Sequence, residues 1–373
     1  MASSFKDRRA VLGARGIMSL EVSSAFHDAA PLNCVDVTGL APSQINELLD
    51  LSQPVILSGV VSGEESEAWC EAVMEDLGDV SVDYQVRSNH DGRSNVFRSS
   101  LTDFVDGLQE ESSHESSWYL LEEELLDSPR ARPYLRRVLE AAQDLLGPDD
   151  FEHFPRGVRP QKHCAIIGGV GARSFLHSDP MEWMGWNVLL EGRKLWTFLP
   201  PVPEVDASLG TYRVSPNAFG SHDISAGWQS DVDLYRRPRR GRRRTGSREG
   251  QVIPCWPSDC PAGQEVLQHA TSGVQEEGDL VLIPPRHWHQ VYHLEPSVAV
   301  ASQYMDERVR DGVFRHMLRW CGSTEDDVLL SKGFDTLEPS EQVMRVLKEA
   351  LVARYGQGGG SRAFADLTKD EEP

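Results

Sequence analysis

The tripeptide His177-Ser178-Asp179, answered far downstream by His289 in Pro285-Arg286-His287-Trp288-His289, constrains this chain more than any other feature. On an extended strand, residues i and i+2 point to the same face, so an HxD aims an imidazole and a carboxylate at one point. An imidazole from a partner strand would complete a set of two His and one carboxylate. Such a set covers one face of a metal ion and leaves the opposite positions open to other ligands. By itself an HxD says little in a chain with 12 His, and its bland reading is a surface loop. The surrounding sequence decides between the two.

After Asp179 the chain reads PMEWMGWNVLLEGRKLWTFLPP, residues 180–201. Val188 to Leu190 form a short apolar strand that Glu191-Gly192 breaks. From Lys194 to Leu199 the residues alternate, with Lys194, Trp196 and Phe198 on one face and Leu195, Thr197 and Leu199 on the other, until Pro200-Pro201. Residues 276–305 repeat the pattern. Gly278-Asp279 turn, Leu280 to Ile283 read as a buried strand, Pro284-Pro285 stop it, His289 to Tyr292 resume it, and Val298 to Tyr304 form the last strand. Many short strands with Pro/Gly punctuation predict a mainly β fold with surrounding helices, a double-sheet barrel of the cupin or jelly-roll type.

The sequence resembles the Jumonji-C (JmjC) domain of the Fe(II)- and 2-oxoglutarate-dependent oxygenases. HSDP, WN, GRKLWTFLPP and GDLVLIPPRHWHQV match in that order and at family spacing, from about Gln53 to about Cys321. The pattern is similar to that of the small JmjC protein hydroxylases. The resemblance implies a double-stranded β-helix with His177, Asp179 and His289 as iron ligands. It implies Lys194 as the cation for the distal carboxylate of 2-oxoglutarate, with Asn187 in the same pocket. Ser174 stands where the family often has a Thr hydroxyl on that carboxylate, and Tyr119 matches a tyrosine that hydrogen-bonds the co-substrate. Two positions depart from the pattern: Ala301 replaces a second Thr, and His287 replaces a Trp.

The chemistry has reasons apart from the resemblance. Fe(II) needs neutral imidazoles and an ionised carboxylate, so acid pH should weaken its binding. One carboxylate of 2-oxoglutarate, with the keto oxygen, can chelate iron, leaving open positions for O₂. The other carboxylate needs a buried cation, and a barrel-strand Lys suits it; without such a partner a buried Lys is costly. Bland readings stand beside each assignment: a surface Lys194, a core Tyr119, a Ser174 hydroxyl bonded to backbone, and His287 or His293 in place of His289 as ligand.

The expected activity is hydroxylation of a C–H bond on a protein side chain, a substrate implied by the resemblance alone. N-methyl-lysine demethylation uses the same core chemistry and is the first alternative. A non-catalytic cupin-like binding module is the second, and the intact His177, Asp179, His289 and Lys194 speak against it.

Net charge of −21 argues against general affinity for nucleic acid or an anionic membrane. The exception is RRPRRGRRRTGSR, residues 236–248, with eight Arg and no acid. It reads as an exposed insertion, with nuclear localisation, RNA or an acidic partner as sharper options. Six scattered Cys form no CxxC pair, so reduced thiols in a cytoplasmic or nuclear protein are expected. No apolar run reaches transmembrane length. The N-terminus has no secretory core, though its Arg/Ser content leaves an organellar transit peptide open.

The expected organisation is an irregular segment over 1–30 and a catalytic region over 31–321. A C-terminal helical region over 322–356 and a disordered tail over 357–373 follow. Helices are expected over Glu64–Leu77, Ser100–Leu108 with Ser100 as cap, 133–147, Val309–Trp320 and Glu341–Tyr355 with Ser340 as cap. The Val343, Leu347, Leu351 stripe reads as packing on the barrel or as a homodimer interface.

Overall fold

The computed structural model describes residues 29–88, 94–110, 116–127, part of 129–160, 163–209, 211–214, 227–230, 232–235 and 266–369. The Arg-rich run, Cys255, Cys260, nearly all of the N-terminal segment and much of the expected 133–147 helix lie outside the described residues.

Two mixed sheets make up the body. The first runs in the order β1 (Ala30–Pro31), β13 (Thr271–Gln275), β10 (Lys194–Leu199), β15 (Trp288–His293), β8 (Leu176–Ser178), β12 (Gly227–Ser230) and β11 (Thr211–Val214). The second runs β2 (Asn33–Asp36), β3 (Val55–Ser58), β14 (Leu280–Ile283), β9 (Met184–Glu191), β16 (Ser297–Tyr304), β7 (Cys164–Gly168), β6 (Ser116–Glu122), β4 (Ser81–Ser88) and β5 (Ser94–Ser100). Consecutive strands in the chain repeatedly fall in opposite sheets, as a jelly roll requires. The expected cupin-type barrel is the observed fold.

Three apolar layers hold it together. Trp196, Phe198 and Val291 of the first sheet meet Ile56, Val281 and Ile283 of the second across the interior. The opposite side of the first sheet, through Leu195, Leu199 and Tyr292, packs under Val205, Leu209 and Leu234. The alternation along β10 therefore separates two buried faces, and all six of its residues are buried.

The helices cover the outer face of the second sheet. α1 (Gly63–Leu77) starts at a capping box: Ser62 Oγ accepts from the Glu65 N–H at 3.3 Å and Glu65 Oε2 from the Ser62 N–H at 3.2 Å. Trp69, Val73 and Leu77 are its buried stripe. α2 (Leu101–Glu110) begins beside Ser100, whose Oγ accepts from the Asp103 N–H at 3.0 Å. α3 (Glu307–Cys321) is capped by Asp306 and closed by Gly322 in the left-handed region.

The C-terminal helix departs from expectation in two ways. α4 spans Pro339–Lys369, so Ser340 lies inside its first turn and does not cap it. Pro339 takes the first helical position, where its missing N–H costs nothing, and the Glu341 carboxylate accepts from the Glu338 N–H at 3.2 Å. Second, the expected disordered tail is corrected: helix resumes after a break at Gly356 (φ 74°) and runs to Lys369. Ala363, Phe364 and Leu367 pack against the main core and hold that segment down. Val343, Leu347 and Leu351 are fully buried within one chain, as the packing reading of this stripe expects.

Candidate active site

The site opens where β8 and β15 run side by side, with His177 directly opposite His289. Their ring centroids lie 4.1 Å apart. Asp179 follows just past the end of β8, still extended (φ −62°, ψ 150°), so the i/i+2 geometry survives the end of the strand. Its Oδ1 is 3.7 Å from His177 Nε2 and 3.9 Å from His289 Nε2. One ligand atom from each of the three lies within 4.8 Å of the others, and this is the one such His/Cys/Asp/Glu group among the described residues. His287 and His293 do not belong to it.

Backbone carbonyls set the orientation of both rings. His177 Nδ1 is 2.8 Å from the Phe175 carbonyl, and His289 Nδ1 is 3.1 Å from the His287 carbonyl. A carbonyl only accepts, so each Nδ1 carries the proton and each Nε2 offers its lone pair toward Asp179. Burial, then the neighbouring His177, pushes His289 down to about 4 and keeps it neutral. The loops that carry the triad are strained. Met181 (φ 60°), Glu182 (φ 55°) and Arg286 (φ 63°) occupy the left-handed region without being glycine.

Gly185 is a positioning residue that the sequence reading missed. A Cβ there would sit 2.9 Å from Asp179 Oδ2, so only glycine leaves the carboxylate its place.

Beside the triad lies a cavity of about 540 Å³. Lys194, Asn187, Tyr119 and Ser174 all line it with His177, Asp179 and His289. Lys194 is 1% exposed, and burial pushes its ammonium down to about 7. No carboxylate pairs with it among the described residues. Asn187 Oδ1 is buried without a hydrogen-bond partner. Its strand is held from outside: Gln275 Nε2 donates to the Asn187 carbonyl at 2.9 Å while Gln275 Oε1 accepts from Trp196 Nε1 at 2.7 Å. Ser174 follows its bland reading, since its Oγ accepts from the Val291 N–H at 3.1 Å, although its own hydroxyl proton is left to donate. Burial pushes the Tyr119 phenol up.

A charge network behind the cavity wall gave no sequence signal. Asp233, 3% exposed, takes Arg173 at 2.9 Å and Arg87 at 3.5 Å, and Gln290 Nε2 donates to its other oxygen at 3.1 Å. Gln290 Oε1 also accepts from the Leu234 N–H at 2.8 Å. Residues 232–235 are thereby fastened to the cavity wall. Cys164 also lines the cavity, and burial pushes its thiol up to about 12.

A chelate of two neutral imidazoles and one carboxylate fits Fe(II). Lys194, with no carboxylate partner among the described residues, is the buried cation that a bound acid would satisfy. No helix among the described residues is long and apolar enough to cross a membrane.

Residues 41–308 match the family model described as a cupin-like domain. The chain is 28% identical over 160 residues to a Caenorhabditis elegans protein named as a bifunctional arginine demethylase and lysyl-hydroxylase, covering 42% of this chain and 33% of the relative. It is 24% identical over 260 residues to an Arabidopsis thaliana protein named as a lysine-specific demethylase, covering 69% of this chain and 24% of the relative. The Caenorhabditis briggsae counterpart of the first is 24% identical over 260 residues, 67% of this chain and 55% of the relative. The chain thus spans between about a quarter and about half of the length of these relatives. With the matched model covering well over half of its residues, the chain belongs to the cupin-like domain family, in its JmjC-type branch.

Proposed function

We propose that this chain is an Fe(II)- and 2-oxoglutarate-dependent oxygenase that hydroxylates a protein side chain. The observation that carries the reading is a single cavity holding both a two-His, one-Asp cluster and a fully buried lysine with no carboxylate partner among the described residues. A binding module has no physical need for that combination, since an unpaired buried ammonium destabilises the fold.

Each residue has a separate task. His177, Asp179 and His289 hold the metal through Nε2, a carboxylate oxygen and Nε2. Lys194 pairs with the distal carboxylate of 2-oxoglutarate, and Asn187 and Tyr119 supply polar contacts in the same space. Ser174 can add its hydroxyl proton. With metal and co-substrate in place, the site couples O₂ reduction and loss of CO₂ from 2-oxoglutarate to insertion of one oxygen atom into a C–H bond, leaving succinate. The protein supplies orientation and keeps bulk water away, and the walls of Trp196, Ile283 and Val291 are suited to that. A five-carbon diacid fills only part of the cavity. The remaining volume leaves room for a target side chain.

A protein side chain is favoured because the relatives carry names that specify arginine or lysine residues. The same names support a second reading, oxidative removal of an N-methyl group. Mass spectrometry of a turned-over peptide separates the two: hydroxylation retains one added oxygen, whereas demethylation loses a methyl group and releases formaldehyde.

The functional test needs no identified target. Purified protein given Fe(II), ascorbate, O₂ and 2-oxoglutarate should form succinate slowly even alone, and His177→Ala should abolish that turnover. Equal succinate from both proteins, or none from the wild type when fully metal-loaded, would overturn the assignment.

A further inference from the structure

Among the described residues, every non-glycine residue in the left-handed region lies within three positions of a triad ligand. Met181 (φ 60°) and Glu182 (φ 55°) follow Asp179 in the single turn Pro180–Glu182, and Arg286 (φ 63°) stands three residues before His289. Such backbone persists only where its surroundings hold it. Glu182 has no task in the metal reading, yet its Oε1 lies 3.9 Å from Arg286 Nε, 3.6 Å from His316 Nδ1 and 3.8 Å from Arg319 Nη2. One carboxylate oxygen therefore meets the loop that carries His289 and two side chains of α3. Burial would raise the Glu182 carboxyl, but His316, then Arg286 and Arg319, outweigh it and hold the group below its ordinary value. Arg319 is shared, since its Nε also reaches Glu325 Oε2 at 2.8 Å. Glu182 is the only carboxylate that Arg286 meets among the described residues.

We propose that Glu182 is a positioning residue for the metal centre, an ionic clasp that ties the Asp179 turn to the His289 loop through Arg286 and fastens both to α3 through His316 and Arg319. The inference rests on the metal reading of the triad and goes beyond it. Asp179 needs such a hold because it stands past the end of β8, where no ladder bond fixes its distance from His289. Met181 and Trp183 fasten the turn to the main core, and Glu182 adds the link to the second loop. Without that link the two strained loops relax independently, and the 3.9 Å spacing between Asp179 Oδ1 and His289 Nε2 is lost. The Arg286 side chain is 54% exposed, so the clasp adds little to global stability. Its value lies in where it acts.

The test is calorimetric titration of the full chain with Mn(II), followed by the visible spectrum of the Co(II)-loaded protein. Glu182→Gln keeps the size of the side chain and removes its charge. It should lower Mn(II) affinity about ten-fold or more, the scale of losing a group that supports a metal ligand. The Co(II) bands should change position and intensity, while Tm stays as in the wild type. Arg286→Gln, at an exposed position, should give a similar loss. The double variant should bind no more weakly than the weaker single one, because both changes open the same clasp. Wild-type affinity and an unchanged Co(II) spectrum in Glu182→Gln would overturn the inference and leave the metal reading standing. Additive losses in the double variant, or a Tm that falls in step with affinity, would also overturn it. Wild type that takes up neither Mn(II) nor Co(II) would remove the metal reading itself, and the inference with it.

Discussion

The lone pairs of two Nε2 atoms depend on two carbonyls and one absent methyl group. The Phe175 and His287 carbonyls fix the tautomers of His177 and His289, and Gly185 leaves room for the Asp179 carboxylate. Gly185→Ala should therefore lower metal affinity by about 10–100-fold, the usual cost of disturbing the support of a ligand. Metal titration followed by circular dichroism checks it, since the fold signal should persist while affinity drops. Protonation of His289, which burial holds down to about 4, competes with the metal, so affinity should fall as pH drops toward that value. Lys194 gives the opposite window. Its pKa in the free protein is lowered from 10.5 to about 7 by burial, and a bound carboxylate raises it again. Between those values the free protein holds a mostly neutral lysine and the complex a charged one. Binding of 2-oxoglutarate should then take up a proton and weaken as pH rises through that window. Calorimetry in two buffers of different ionisation enthalpy measures the uptake; no proton exchange would contradict the buried-cation account.

At the scale of elements, legibility followed how much a residue pattern depends on distant partners. β10 and β14 were readable because alternation and Pro/Gly stops are local signals, and they place Lys194 as well as the turn that follows. The Ser62 capping box is local too, and the α1 boundary came out within a residue of expectation. The extension β4–β6 was missed, although its signal is present. Val82 and Tyr84 are buried while Asp83, Gln85 and Arg87 between and beyond them line the cavity. That polar face resembles a solvated strand until the cavity is known. The tail failed for another reason: its Gly run predicts breakage, but the docking of Phe364 and Leu367 on the core outweighs low intrinsic propensity. Deleting residues 357–373 should consequently lower stability by about 1–3 kcal/mol, with metal affinity intact. A chain that melts at an unchanged temperature after the deletion would show that the tail does not dock.

For the whole molecule, the two sheets serve unequal purposes. The first sheet carries His177, His289, Lys194 and His293, and the second carries Asn187 and Tyr119, so the cavity between them is assembled only when both sheets close. The HxD, the distal His and the Lys were legible because each sits in a short local motif. Gly185, Gln275 and Asp233 were not, because their importance lies in what reaches them from other strands. The central claim is that one cavity binds Fe(II) and 2-oxoglutarate together, and anaerobic titration tests it most directly. Purified protein receives Fe(II) and then 2-oxoglutarate while the visible spectrum is followed for the weak charge-transfer band of the chelate. The account predicts a saturable band, absent in His177→Ala and displaced to higher 2-oxoglutarate concentration in Lys194→Ala. Folded, metal-loaded wild type that shows no band at any 2-oxoglutarate concentration would contradict it.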